Sequence, residues 1–199
     1  MTAIVAIAMM FFSGCQKDKT SLESGGFNGL IATQVESGSD YNQYFKQVWA
    51  IIGPRLNGTT LTWDDVIVKG TYSNGGFTVN LPATVKSQHL KSISDYFEKD
   101  LKISGDLKYS ASSARITEVE LFAFDGDNAW YDYFVNSDAD KSKPTYCFYV
   151  YVDEDVNVTG GPTVSFKKGW NRLYYSSEKK LVTTKDPGKL KWYISQDLK

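Results

Sequence analysis

The stretch from Val66 to Leu81 limits the fold more than any other part of the chain. Val66-Ile67-Val68-Lys69-Gly70-Thr71-Tyr72 and Phe77-Thr78-Val79-Asn80-Leu81 are apolar, β-branched runs separated by Ser73-Asn74-Gly75-Gly76. Asn-Gly supplies the positive φ angles that a tight hairpin turn requires, so the two runs read as an antiparallel hairpin. Pro82 ends it, having no N–H to give to a ladder.

Much of the remaining sequence follows the same pattern. Phe27 to Glu36 reads as a strand and Ser37-Gly38-Ser39-Asp40 as a turn. Val48-Trp49-Ala50-Ile51-Ile52, ended by Gly53-Pro54, reads as a buried strand or a short helix, because so short an apolar run has no decisive period. Arg115 to Phe124 alternates irregularly and admits a bulge; Trp130 to Val135 is a further strand. Tyr146 to Val152 is apolar enough to belong in the middle of a sheet. Asn157–Thr159, Thr163–Phe166, Trp170–Ser176, Lys180–Thr184 and Leu190–Ser195 complete the set. Roughly ten short strands spaced about 8–12 residues apart predict an all-β chain, an antiparallel β-sandwich or a partly open barrel. One helix is expected over Val85–Leu101, where Leu90, Ile93, Tyr96 or Phe97, and Leu101 recur at helical spacing. No second domain boundary interrupts residues 27–199.

The composition agrees with strands: 15% of the residues are aromatic, led by 13 Tyr and 11 Phe. Acidic and basic residues, 23 and 22, are evenly mixed for a net charge of −1, so no basic block exists to neutralise a run of phosphates and nucleic acid is not an expected partner.

Ile4 to Phe12 is an unbroken run of apolar and small residues, followed by Ser13-Gly14-Cys15 and the polar Gln16-Lys17-Asp18-Lys19. As a helix, Met1 to Gly14 would span about 21 Å, short of the ~30 Å hydrocarbon core, whereas a signal-peptide apolar region of ~7–15 residues fits. This order resembles the signal peptide and lipobox of bacterial lipoproteins, with the difference that no Lys or Arg precedes the apolar run. The resemblance implies that residues 1–14 are a signal peptide and that Cys15 is lipidated as the mature N-terminus. Residues 15–26, rich in small and polar residues with a Gly pair, would be a tether. Several acyl chains on one cysteine make a stable membrane anchor. Cys15-Gln16-Lys17-Asp18 further resembles the export signal of surface-exposed lipoproteins of Bacteroidetes-type bacteria, although Lys19 stands where another acid is common. The location implied is the outer membrane, facing the cell exterior. Gly76–Pro82, Tyr149–Val156 and Val164–Asn171 look like pieces of small uncharacterised bacterial surface lipoproteins, a family that brings no established activity.

Catalytic and metal-binding residues are scarce. His89 is the only histidine, and with Cys15 acylated Cys147 has no disulfide partner. Cys147 sits in the most apolar strand, where a thiol is a small core residue, and one His with one Cys cannot supply a zinc ligand set. Asp125-Gly126-Asp127-Asn128 and Asn136-Ser137-Asp138-Ala139-Asp140 gather oxygen ligands, making Asp125, Asp127, Asp138 and Asp140 weak calcium candidates. The second cluster starts like a calcium loop and then fails, with Lys141 at the glycine position and Cys147 at the bidentate acid. Asp64, Asp65, Glu118 and Glu120 are available for a small carboxylate-dependent hydrolase, but nothing singles them out. No cofactor is expected. The remaining feature is aromatic: Trp130, Tyr131 and Tyr133 fall on one strand, and Trp170 and Trp192 on two others, as candidate rings for a glycan or a surface protein. The expectation is a non-catalytic binding module anchored to the membrane by lipid, or alternatively a structural or accessory subunit of a surface assembly.

Overall fold

The computed structural model describes residues 27–52, 65–126, 130–140 and 142–198. Within them the chain is all-β and antiparallel, with one short helix. Seven strands curl into a partly open barrel in the order β1 (Leu30–Gln34), β4 (Gly76–Asn80), β3 (Val66–Ser73), β2 (Gln47–Ile51), β7 (Arg115–Phe124), β9 (Tyr146–Val152) and β12 (Gly169–Ser176). β8 (Trp130–Ser137) pairs with the second half of β7, through the bulge expected there, and carries β14 (Lys191–Ile194). β5 (Lys91–Ser92) pairs with the start of β7, and β13 (Leu181–Thr183) with the end of β12. A separate small sheet has the order β11 (Val164–Phe166), β10 (Val156–Thr159), β6 (Lys108–Tyr109).

The β3–β4 hairpin turns through Asn74 and Gly75, at φ 52° and 75°. Alternation along the strands then sorts the residues. Val48, Ala50, Val79, Leu121 and Ala123 point into the barrel with Phe45, Phe77 and Phe134 and form the first core. The outward faces of β7, β9 and β12 (Ile116, Val150, Val152, Leu173) are covered by the helical segment and the small sheet, which makes a second core. Trp49, Ile51, Phe122 and Phe124 form a third on the outside of β2 and β7, with Trp49 stacked on Phe124 at 3.8 Å between centroids. Val48–Ile52 is apolar throughout because β2 is buried on both faces. That settles the strand-or-helix ambiguity in favour of the strand.

The helix is shorter than the spacing over Val85–Leu101 predicts. Helix α1 (Ile93–Asp95) continues as a wider turn over Tyr96–Asp100, and a separate 3-10 turn holds Ser87–His89. Ser92 starts α1, its side chain accepting the N–H of Asp95 at 3.1 Å. The preceding Lys91–Ser92 is drawn into β pairing with Arg115 and Ile116. Leu90 packs against the first core and Ile93, Tyr96, Phe97 and Leu101 against the second, so the periodic row spans two different cores.

Candidate functional site

The aromatic residues expected to bind do not form one face. Trp170 is 3% exposed; its indole N–H donates to Pro82 O at 2.7 Å and its ring meets Tyr151 edge-on. Trp192 is 7% exposed, stacked on Tyr149 and edge-on to Phe77. Both rings are therefore core, and the expectation that they offer a stacking surface is corrected: their faces are already covered by other rings. Tyr133 is 36% exposed on the outside of β8. Trp130 and Tyr131 lie on the same strand, and the placement of their side chains is outside the described part of the molecule.

The acidic loops are held by their own donors. Asp138 accepts the N–H groups of Asp140 and Thr145 and, at 2.7 Å, the Lys179 ammonium. Burial opposes ionisation of Asp138, but the Lys179 contact and these N–H bonds outweigh it and bring the carboxyl down to about 2. Asp140 accepts from Ser142 and from the N–H of Lys143. Asp125 is half-buried just after β7. Asp127, Asp64 and Cys15 lie outside the described residues. Among the described residues no three His, Cys, Asp or Glu side chains form a metal-binding group. Glu118 accepts the Tyr96 hydroxyl at 2.6 Å at the edge of the second core.

What the fold does build is a seam. From β1 to β12 there are six antiparallel steps, so these two strands run in the same direction, and β13 covers the outer edge of β12 from Tyr174 to Ser176. Direct pairing would place one parallel joint in an antiparallel barrel, and no β1–β12 ladder forms. The opening is bridged at its two ends, by Phe27 just before β1 against β12 and by Glu36 just after β1 against β14. At one end Phe27 N–H donates to Trp170 O at 2.7 Å, and at the other Glu36 N–H donates to Trp192 O at 2.8 Å. Gly29, at φ 85°, turns the chain from the first contact into β1; a Cβ there would lie 2.9 Å from Leu81 O.

Between these contacts lies a cavity of about 330 Å3, lined by Leu30–Gln34, by Cys147, Tyr149, Arg172 and Tyr174, and by the 186–191 loop. Strand alternation aims Trp170, Arg172 and Tyr174 inward, so a guanidinium stands in an otherwise aromatic and apolar interior. It lies 4.8 Å from the Phe27 ring centroid and 6.0 Å from that of Tyr149. The hydroxyls of Tyr149 and Tyr174 are its polar neighbours. Its Nε–H is buried without a hydrogen-bond acceptor, and among the described residues no carboxylate forms an ion pair with it. No family model matches the chain, and no curated protein and no solved structure matches it.

Burial raises Tyr149 and Tyr174 well above the ordinary phenol range and pushes the Cys147 thiol up to about 12. At neutral pH the phenols are hydrogen-bond donors and the thiol is inert, which leaves Arg172 as the charge inside the seam. At the rim Lys191 is paired with Glu36 at 3.0 Å, and Asp186 accepts the N–H of Gly188. The arrangement suits an anion: a cation and two phenols inside a partly enclosed cavity favour a carboxylate more than they would in open water. Arg172 is absent from the residues that composition and motif single out. Its one signal is its place in Trp170-Asn171-Arg172-Leu173-Tyr174, a charge at an inward position between two aromatic ones.

Proposed function

We propose that this chain is a non-catalytic binding module of the bacterial cell surface, anchored to the outer membrane through lipid on Cys15, and that its ligand enters the seam. The lipobox-like Ser13-Gly14-Cys15 supports the anchor. The observation that carries the binding role is the Arg172 guanidinium, facing a solvent-reachable cavity with its Nε–H unsatisfied. A buried donor costs about 1–3 kcal/mol when left unpaired, and a ligand carboxylate removes that cost. A neutral glycan would instead need an uncovered aromatic face, which Trp170 and Trp192 do not offer.

Two measurements test this reading. Intact-mass analysis of the native protein should find an acylated Cys15 as the first residue; an unmodified thiol there removes the anchor. Amide and side-chain NMR shifts recorded against a panel of short peptides and of acidic and neutral oligosaccharides should change at Arg172, Tyr149 and Tyr174 for a carboxylate-bearing member. A panel that moves none of the three removes the seam as a binding site.

A further inference from the structure

We propose that the seam cavity takes the end of an acidic glycan: one pyranose ring that carries its own carboxylate, set end-on against the Arg172 guanidinium. This rests on the seam being the binding site and adds the class of ligand. Shape decides first. Phe27 N–H on Trp170 O closes one end of the opening and Glu36 N–H on Trp192 O the other, so a chain cannot run through it and only its end enters. At about 330 Å3 the cavity stands at the small end of the ~300–1,000 Å3 usual for ligand pockets, with room for a ring and not for a polymer. An extended peptide finds little backbone to pair with. β13 holds the outer edge of β12, Leu30 N–H donates to Asn28 Oδ1 at 3.1 Å, and Gln34 C=O accepts the Thr33 hydroxyl at 3.2 Å. Those bonds interrupt the β1 edge on both sides of Ala32, whose N–H and C=O lie on the phase turned away from β4.

Charge and hydrogen bonding supply the rest. Arg172, Lys189 and Lys191 line the cavity with Glu36 and Asp186, three cations against two anions, so one positive charge is left over and one carboxylate balances it. Glu36 is held at the rim by Lys191 at 3.0 Å, whereas the guanidinium, with its Nε–H unpaired, stands inside. A carboxylate accepts from a guanidinium in the forked geometry both groups favour. At the mouth the amides of Gln34 and Asn136 each offer a donor and an acceptor, which suits hydroxyls, since these also do both. A fatty acid would satisfy the charge and then lay an alkyl tail against those amides. The acidic ring needs no bare aromatic face, because its anchor is ionic, and that separates it from a neutral sugar.

The test uses the purified full-length protein and trisaccharides ended by galacturonate or by glucuronate, with binding read by calorimetry. The better of the two should bind roughly tenfold or more tightly than its methyl ester, which keeps the ring and hydroxyls and loses the charge. The number of protein molecules bound per chain should be the same for a uronate hexamer and a long polyuronate, because only ends enter. Arg172→Met should remove binding. Gln34→Ala combined with Asn136→Ala should weaken the trisaccharide several-fold and leave the weak NMR response to acetate, a carboxylate without hydroxyls, as it was. Thermal unfolding checks that each variant is folded, and the ester comparison needs no variant. Equal binding of acid and ester, a stoichiometry that grows with chain length, or parental affinity in the double variant overturns the proposal. So does a capped glutamate peptide that shifts Arg172, Tyr149 and Tyr174 where no uronide does, a result that would leave the seam standing as a carboxylate site. Silence of those three residues toward both uronides and peptides removes the seam itself.

Discussion

Replacing Arg172 by methionine separates a residue held for a ligand from one held for stability. The substitution keeps an unbranched side chain of similar reach and removes the charge. Lost with it are a cation–π contact with Phe27 at 4.8 Å, worth roughly 1 kcal/mol, and a contact with Tyr149 at 6.0 Å, at the limit of useful range. The bonds to the two phenols go as well, at about 1 kcal/mol each, though Tyr174 lines the cavity, where water can replace the guanidinium. Against this stand the orphaned Nε–H, at about 1–3 kcal/mol, and the desolvation of a half-buried cation. The two sides nearly cancel, so Arg172→Met should unfold within about 1 kcal/mol of the parent. For a domain of this size that is a few degrees in Tm, at roughly 2–4 °C per kcal/mol. Urea unfolding at pH 7, followed by tryptophan fluorescence and far-ultraviolet dichroism, measures it, and the same variant should lose the NMR response to carboxylate ligands. A loss of about 3 kcal/mol or more would refute this account, because that is what removing one partner of a buried ion pair costs.

Asp138→Asn should destabilise by about 1–2 kcal/mol at pH 7, after allowing for partial exposure of the Lys179 pair. Since the folded carboxyl titrates near 2 against an ordinary 3.8, this contribution is complete above about pH 4 and lost as pH falls toward 2; parent and variant unfolding curves that fail to converge over that interval contradict it. Trp192→Ala should cost about 3–5 kcal/mol in chemical unfolding, as a core ring does, and a variant of parental stability would mean that the indole is not packed as described. Tyr72→Phe removes the hydroxyl that donates to Gly38 O at 2.7 Å and should lower stability by about 1–2 kcal/mol in the same assay. Cys147 should resist iodoacetamide at pH 8 in the native protein and react once urea exposes it; rapid native alkylation would contradict a thiol titrating near 12.

Much of the fold is legible from local chemistry. Asn74-Gly75 fixes the β3–β4 hairpin, and the alternation of Arg115–Phe124 marks β7 together with its bulge. Tyr146–Val152 is apolar enough to announce a strand with neighbours on both sides, and β9 indeed lies between β7 and β12. Local chemistry misleads where one row of residues serves two cores. Leu90 belongs to the barrel interior and Ile93 to Leu101 to the outer layer, and Ser92 caps the helix between them, so a continuous helical period is cut to a short segment. Likewise Trp170 and Trp192 satisfy every compositional criterion for a binding ring, yet the covering partners, Tyr151, Tyr149 and Phe77, come from other strands.

The seam illustrates why a site of this kind escapes a reading along the chain. Its existence depends on the directions of β1 and β12, which are separated by more than a hundred residues and never paired. No local motif encodes those directions. The chemistry within it is also distributed: a backbone edge at Ala32, a phenol on β9, a guanidinium and a second phenol on β12. Each is ordinary in its own strand. Only the inward phase of Arg172, between Trp170 and Tyr174, is a local anomaly, since a charge at a core position demands either a partner in the fold or one from outside. Among the described residues the fold provides no counter-charge, only the hydroxyls of Tyr149 and Tyr174 and the Phe27 ring.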